Sequence, residues 1–246
     1  GRSSMDYALK NLVRAAREIG LAEAARREEE RKNGVSAQEI NRRMLEALQV
    51  MRQSAEKGFD SDLHSVSGMT GGQAARLQSA VSRGDTVGGS LLGRAAARAL
   101  AIAECNAAMG KIVAAPTAGA CGILPAALLT AQEEYVLSDA QLADALIVAA
   151  AVGQVIASRA CVSGAQGGCQ AECGSAAAMA AAALVFLRGG SPQQSADACA
   201  FALMNVMGLV CDPVRGLVEV PCVYRNASGV AGAFVAADLA LAGVPC

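Results

Sequence analysis

SDAQLADALIVAAAVGQVIASR, residues Ser138 to Arg159, is the stretch that decides the fold. Ser138 followed three residues later by Gln141 is a capping box, a local signal that opens a helix. Between Asp144 and Arg159 lie 14 uncharged residues, mostly Ala, Val, Leu and Ile, with no proline. That run is too long for an ordinary strand and carries a helix start, so it predicts a buried helix to about Arg159. The same punctuation recurs on either side. Ser191-Pro192-Gln193-Gln194 supplies a cap, a first-turn proline and a capping-box glutamine, with Gly208 at the far end. Ser36 and Glu39 open a helix whose apolar stripe is Ile40, Met44, Leu48, Met51 and Ala55, ending at Gly58. Met5, Leu9, Leu12, Val13, Ala16 and Ile19 give a stripe to the first helix. Ser90 suits the cap of a helix running to about Met109 and closed by Gly110. Only Leu217–Tyr224 alternates well enough to be a strand candidate. The fold class is therefore all-α: a compact multi-helix domain with glycine-rich loops, preceded by an amphipathic helical hairpin.

Composition agrees. The chain has 246 residues, 53% of them hydrophobic, with no Trp and 3% aromatics. Small side chains let helices pack closely, and Ala is the best helix former. Charge divides the sequence. Residues 1–60 hold 12 basic and 10 acidic side chains, while residues 61–246 hold 9 and 12. The expected organisation is a hairpin over 1–60 packed on a core over 61–246, with the run Arg26–Lys32 on a solvated helix face. Net charge is −1, so no global field favours nucleic acid or an anionic membrane. The uncharged stretches Ala145–Ser158 and Gly174–Leu187 are 14 residues each. A bilayer needs ~20, so core helices and no membrane span are expected. Nine cysteines behind a polar N-terminus without a secretory pattern point to thiols in a reducing, cytoplasmic setting.

Between the helices lie loops that packing alone does not require: Ser67–Gly72 (SGMTGG), Pro116–Gly122 (PTAGACG), Ser163–Cys169 (SGAQGGC) and Cys211–Gly216 (CDPVRG). Pro221-Cys222 and Arg225-Asn226 follow. Glycine-rich turns at helix N-termini offer free N–H groups and a positive dipole end, which suit a carboxylate or a thiolate.

Several of these strings resemble the α chain of bacterial iron–sulfur-dependent L-serine dehydratases. They are Gly110–Gly119 (GKIVAAPTAG), Ser163–Glu172 (SGAQGGCQAE), Gly208–Val214 (GLVCDPV) and Gly216–Cys222 (GLVEVPC), continuing through Arg225-Asn226. Ser67–Gly72 and Asn106–Gly110 match as well, so the likeness is dense from about residue 60 to residue 243. The resemblance implies a [4Fe–4S] cluster on Cys169, Cys211 and Cys222, with the fourth iron open to L-serine. It also implies a regulatory β subunit or β domain and an oligomer. Their spacing is unlike a ferredoxin run and would not by itself reveal a cluster. Cys169 precedes a predicted helix, whose dipole favours the thiolate.

The implied reaction removes water from L-serine to give pyruvate and ammonia. An open iron acts as Lewis acid on the departing hydroxyl while a base takes the α-proton. Candidates to hold the carboxylate are Thr70, Gly71, Gly72, Asn106, Thr117, Ala118, Gly119, Ser163 and Arg225. Candidate bases are His64, the lone histidine, Lys111 and Glu172, and the sequence does not choose among them. Asp212 and Glu219 are expected to hold the cysteine loops by hydrogen bonds.

Some features depart from the family pattern. Cys173 lies one helical turn after Cys169 where no cysteine is called for, and Arg215 stands where a small residue is expected. Relatives continue past this point with a further glycine- and threonine-rich segment, so a truncated C-terminus is expected. Some use a C-terminal cysteine as a displaceable fourth ligand, and whether Cys246 does so stays open. Other readings remain: a cluster-dependent L-cysteine desulfidase, a pyridoxal-phosphate eliminase working through Lys111, and a non-catalytic membrane bundle.

Overall fold

The alanine run that begins at Cys169 forms the helix around which the rest is built. The computed structural model describes residues 8–246, so the expectation for Met5 lies outside the described residues. Among the described residues there are eleven α-helices: α1 Leu9–Ile19, α2 Leu21–Asn33, α3 Ala37–Gly58, α4 Gln73–Arg83, α5 Gly89–Ala107, α6 Ile123–Tyr135, α7 Asp139–Arg159, α8 Gly164–Gly167, α9 Cys169–Leu187, α10 Pro192–Met204 and α11 Cys222–Leu241. The protein is all-α. Helix α9 packs against α6, α7, α10 and α11, and its alanines from Ala176 to Ala183 are buried on every side. Only small side chains permit neighbours around a whole helix circumference at close approach. Helix α5 is the second hub, touching α3, α4, α6 and α11. Gly58 shows how tight this is, since a Cβ there would fall 1.8 Å from the Ala101 carbonyl oxygen.

Local signals set the helix ends. Ser138 and Ser191 each form a complete capping box, and Ser36 accepts the Glu39 amide. The charged segment ahead of the core folds as three helices. Gly20, at φ 83°, breaks α1 from α2, and the Arg26–Lys32 run rides on α2. Arg26 reaches Asp144 at 2.5 Å and Arg52 pairs with Asp139, joining α2 and α3 to α7. Leu12, Leu21, Ile40, Leu48 and Met51 belong to the same buried cluster as the residues of α7 and α9.

Three expectations are corrected. Leu217–Tyr224 is not a strand: no strand occurs among the described residues, Leu217 and Val218 are exposed, and Cys222 already starts α11. Its alternation has no partner strand to bury against, and Pro221 lacks an N–H to donate. Ser90 does not cap α5; it lies in the first turn, with Gly88 at the cap. At the other end Met109, at φ 60°, takes the left-handed position. Helix α10 ends at Met204, short of Gly208. Helices α7 and α9, at 21 and 19 residues, are long and apolar enough to cross a membrane by length and composition. Both are mostly buried inside the protein, which explains their apolarity without a bilayer.

Candidate active site

The N-termini of α4, α6, α9 and α11 are tied to one another by polar contacts at one end of the bundle. Asn226, fully buried on α11, accepts the Gly122 amide at 2.9 Å and donates to the carbonyls of Gly119 and Cys222 at 2.8 and 2.9 Å. That locks the start of α11 to the loop before α6. Glu219, just ahead of α11, accepts from Ser65 and Ser67 at 2.7 and 2.6 Å, which fixes the Ser67–Gly72 loop before α4. Burial works against its charge, but the two hydroxyls and the Ser67 amide outweigh it and hold the carboxyl below the usual range. Asp212 pairs with Arg225 at 2.6 Å. Both carboxylates therefore hold loops, as expected from sequence.

Glu172, in the first turn of α9, is where the Pro116–Gly122 loop and the start of α8 close. The Thr117 hydroxyl donates to its Oε1. A Cβ on Gly119 would stand 2.7 Å from Oε1, and one on Gly164 would stand 2.6 Å from Oε2. Glycine at both places lets the backbone reach the carboxylate. Asn106 donates to the Ala118 carbonyl at 3.2 Å, holding that loop against the end of α5.

Cys169 sits one helical turn before this carboxylate. Cys169 and Cys222 are the first residues of α9 and α11, and both are buried; Cys211 is exposed on an irregular segment. Burial pushes the Cys222 thiol up to about 11, and the charges of Cys169, Glu172 and Cys211 push the same way while Arg225 opposes them. Cys173 is also buried, and burial followed by Cys169, Glu172 and Cys222 raises it to about 12. Among the described residues, no three His, Cys, Asp or Glu side chains gather tightly enough to hold a single metal ion. An iron–sulfur cube presents its ligands at separate corners, so its thiolates stand further apart than those around one ion. The donor set is chemically suited to such a centre, since cysteine sulfurs are soft ligands that bind iron–sulfur clusters as thiolates.

The sequence profile of the family described as serine dehydratase alpha chain matches residues 16–246. The chain belongs to the serine dehydratase alpha chain family. It is 48% identical over 218 residues to the L-serine dehydratase alpha chain of Peptoniphilus asaccharolyticus, covering 88% of this chain and 75% of that one. An L-serine dehydratase of Streptomyces coelicolor is 36% identical over 244 residues, 94% of this chain and 51% of its own length. L-serine dehydratase 2 of Escherichia coli is 47% identical over 145 residues, 58% of this chain and 32% of that protein.

The residues singled out from the sequence lie at different places in the fold. Thr117, Gly119, Glu172, Cys169, Cys222 and Arg225 lie in one connected network, and the neighbours of Ser163, Ala118 and Cys211 join it. Thr70, Gly71 and Gly72 reach it through Ser65, Ser67 and Glu219. The Thr70 hydroxyl is buried and has no hydrogen-bond partner. His64 is exposed on the rim, its Nδ1 2.5 Å from where a Gly71 Cβ would lie. Lys111 is exposed beyond the end of α5. Cys246 is exposed, past the C-terminal end of α11 at Leu241. Sequence reasoning missed Glu104, a buried carboxylate on α5 that accepts the Gln73 amide at 2.9 Å and the Ala74 amide at 3.3 Å, capping α4. Its signal is being the lone acidic residue of the alanine-rich α5. It also missed Gln170, whose side chain accepts the Gly208 amide at 2.9 Å.

Proposed function

We propose that this chain carries the catalytic site of an L-serine dehydratase, converting L-serine to pyruvate and ammonia with a [4Fe–4S] cluster on Cys169, Cys211 and Cys222. The observation that carries the reading is Glu172: a carboxylate that accepts the Thr117 hydroxyl and packs against Gly119 and Gly164, one turn after the buried Cys169 at the start of α9. When bound, the cluster supplies an open iron as Lewis acid toward the serine hydroxyl.

The chain's own residues supply the rest. Four helix N-termini direct dipoles toward this end of the bundle, a setting that favours the substrate carboxylate. Thr70 brings a buried hydroxyl free to donate, and buried groups of this kind are rarely left unpaired without a use. Of the candidate bases, His64 and Lys111 are exposed and Glu172 is half-buried in the network. Thr117 occupies Oε1, so Oε2 is the atom assigned to take the α-proton. Loss of that proton and of hydroxide, which leaves as water, yields aminoacrylate, which tautomerises and hydrolyses to pyruvate and ammonia. The names of several relatives as alpha chains support a separate β partner.

The test is anaerobic reconstitution with iron and sulfide, then titration with L-serine while visible absorption and pyruvate are followed. L-serine is expected to perturb the absorption and pyruvate to accumulate, with Glu172→Gln retaining the perturbation and losing turnover. A loaded protein indifferent to L-serine overturns the reading; sulfide release from L-cysteine in preference to pyruvate from L-serine replaces it with a desulfidase.

A further inference from the structure

We infer that Arg225 is the positioning residue that assembles the three-sulfur site, gathering the cysteines before any cofactor arrives. Three contacts of a single nitrogen carry this. Arg225 Nη1 lies 3.1 Å from the Cys169 sulfur, 3.0 Å from the Val210 carbonyl oxygen and 2.6 Å from Asp212 Oδ1. Val210 and Asp212 are the two chain neighbours of Cys211. One guanidinium thus holds Cys169 directly and Cys211 from both sides. Cys222 lies three residues earlier on the same helix, and residues three apart share a helix face. Cys169 lies far ahead of Cys211 and Cys222 in sequence, and Arg225, on the helix that Cys222 opens, bridges the Cys169 sulfur and the Cys211 segment.

The Cys211 segment needs such a strap. Its backbone is anchored on one side where Gln170 donates to the Leu209 carbonyl, and on the other where Val214 donates to the Val220 carbonyl. Between those anchors Val210, Cys211 and Asp212 are all exposed, with no apolar packing to fix them. The guanidinium is mostly buried while the Asp212 carboxylate is half exposed. An ion pair of that kind adds little to global stability. What it sets is where the loop lies. Arginine suits the task because it stays charged and donates several bonds from a rigid plane. Arg225 is also among the residues expected to hold the substrate carboxylate, and its Nη1 faces sulfur and loop.

The inference rests on the proposed function only in taking these three sulfurs as the cluster ligands, and its test uses the apoprotein. Dibromobimane, which becomes fluorescent on bridging two neighbouring thiols, is reacted with the full chain, and bridged cysteines are mapped by mass spectrometry. The wild type is expected to give a bridged adduct joining Cys211 to Cys169 or Cys222. Arg225→Gln is expected to lower that adduct about tenfold, the scale of a lost charge-assisted hydrogen bond, with helix content unchanged by circular dichroism. Arg225→Lys restores part of it by keeping the charge, and Asp212→Asn weakens it from the loop side with no change to α11. Iron and sulfide retained after anaerobic reconstitution are expected to follow the same order. A wild type that forms no Cys211 adduct, or an Arg225→Gln protein that forms it as readily as wild type, overturns the inference. Loss of L-serine turnover with the adduct pattern intact counts against the proposed function alone.

Discussion

A Cβ on Gly119 would stand 2.7 Å from Glu172 Oε1, closer than real Cβ atoms come to oxygen. Loop and carboxylate fill one space, so Gly119→Ala must displace the carboxylate or the loop. The displaced carboxylate also loses the Thr117 hydroxyl. Misplacing a reacting group by about 1 Å costs about a hundredfold in rate. Gly119→Ala is expected to lower kcat on that scale with the melting temperature little changed, because the strain is relieved at the surface of the site. Steady-state kinetics beside a thermal melt checks both halves; unchanged kcat would separate Glu172 from the chemistry.

Thr70 offers the opposite signature. Its hydroxyl is buried and unpaired, a cost to folding with no return within the chain. Replacing it with a shape-matched apolar group, Thr70→Val, is expected to leave stability equal or higher by about 1 kcal/mol. If the hydroxyl serves the L-serine carboxylate, the same change raises KM. A variant that melts higher and binds L-serine more weakly is the expected outcome. Wild-type KM would mean the hydroxyl is a packing remnant.

These two sites show what the sequence discloses and what it conceals. Ser138 and Ser191 are legible because a capping box is complete within four residues of chain. The glycine-rich strings before α4 and α6 are legible as loops for the same reason, each being continuous, whereas within the expected Ser163–Cys169 loop Gly164–Gly167 folds as the short helix α8. Glu104 is not legible, since the amides it caps lie 30 and 31 residues earlier. Nor is the role of Arg225, whose partners stand 13, 15 and 56 residues away. Leu217–Tyr224 misleads because alternation signals a strand only when a neighbouring strand exists. The segment is instead pinned by Glu219 on Ser65 and Ser67. Local punctuation is written in the sequence, whereas convergence is decided by packing.

Asn226 gives a stability prediction. Its amide serves the Gly122 N–H and the carbonyls of Gly119 and Cys222, all in a dry environment. Asn226→Ala strands these groups, and each unsatisfied buried group costs about 1–3 kcal/mol. Partial relaxation brings the expected loss to about 3 kcal/mol, or a melting temperature lower by about 5–10 °C. Asn226→Asp keeps the acceptor for Gly122 and loses both donors, so it is expected to be no better. A drop under about 1 kcal/mol for the alanine variant would show that the loop is held elsewhere.

Glu104 gives a pH prediction with a definite sign. Burial raises its carboxyl above the ordinary value of 4.5, against the amides of Gln73, Ala74 and Gly72, which pull it down. The folded protein therefore takes this proton more readily than the unfolded chain. Its contribution is greatest below the ordinary carboxyl value and is lost as pH rises through the folded value. Glu104→Gln removes the buried charge and keeps an acceptor for the two amides. Its stability relative to wild type is expected to improve as pH rises from about 5 and then level off, read from urea midpoints up to about pH 8. Glu104→Leu strands the amides and is expected to be destabilised at every pH by about 1–3 kcal/mol. A Glu104→Gln protein that loses ground with rising pH would reverse the sign assigned to burial.

The free thiols divide by exposure, and that division tests the ligand assignment. Cys161, Cys211 and Cys246 are exposed, while Cys105, Cys121, Cys169, Cys173, Cys199 and Cys222 are buried. Burial also pushes the thiols of Cys121, Cys173 and Cys199 up to about 12, so little thiolate forms there. Alkylation by iodoacetamide at about pH 8 needs an accessible thiolate. The apoprotein is expected to label first at Cys161, Cys211 and Cys246, with the buried set following only as the structure opens. After anaerobic loading with iron and sulfide, Cys211 should become protected while Cys161 keeps its reactivity. Protection of Cys246 as well would make it a fourth ligand. Cys211 labelling at the apoprotein rate in a fully loaded sample would remove it from the ligand set, leaving Cys169 and Cys222 in need of another third donor.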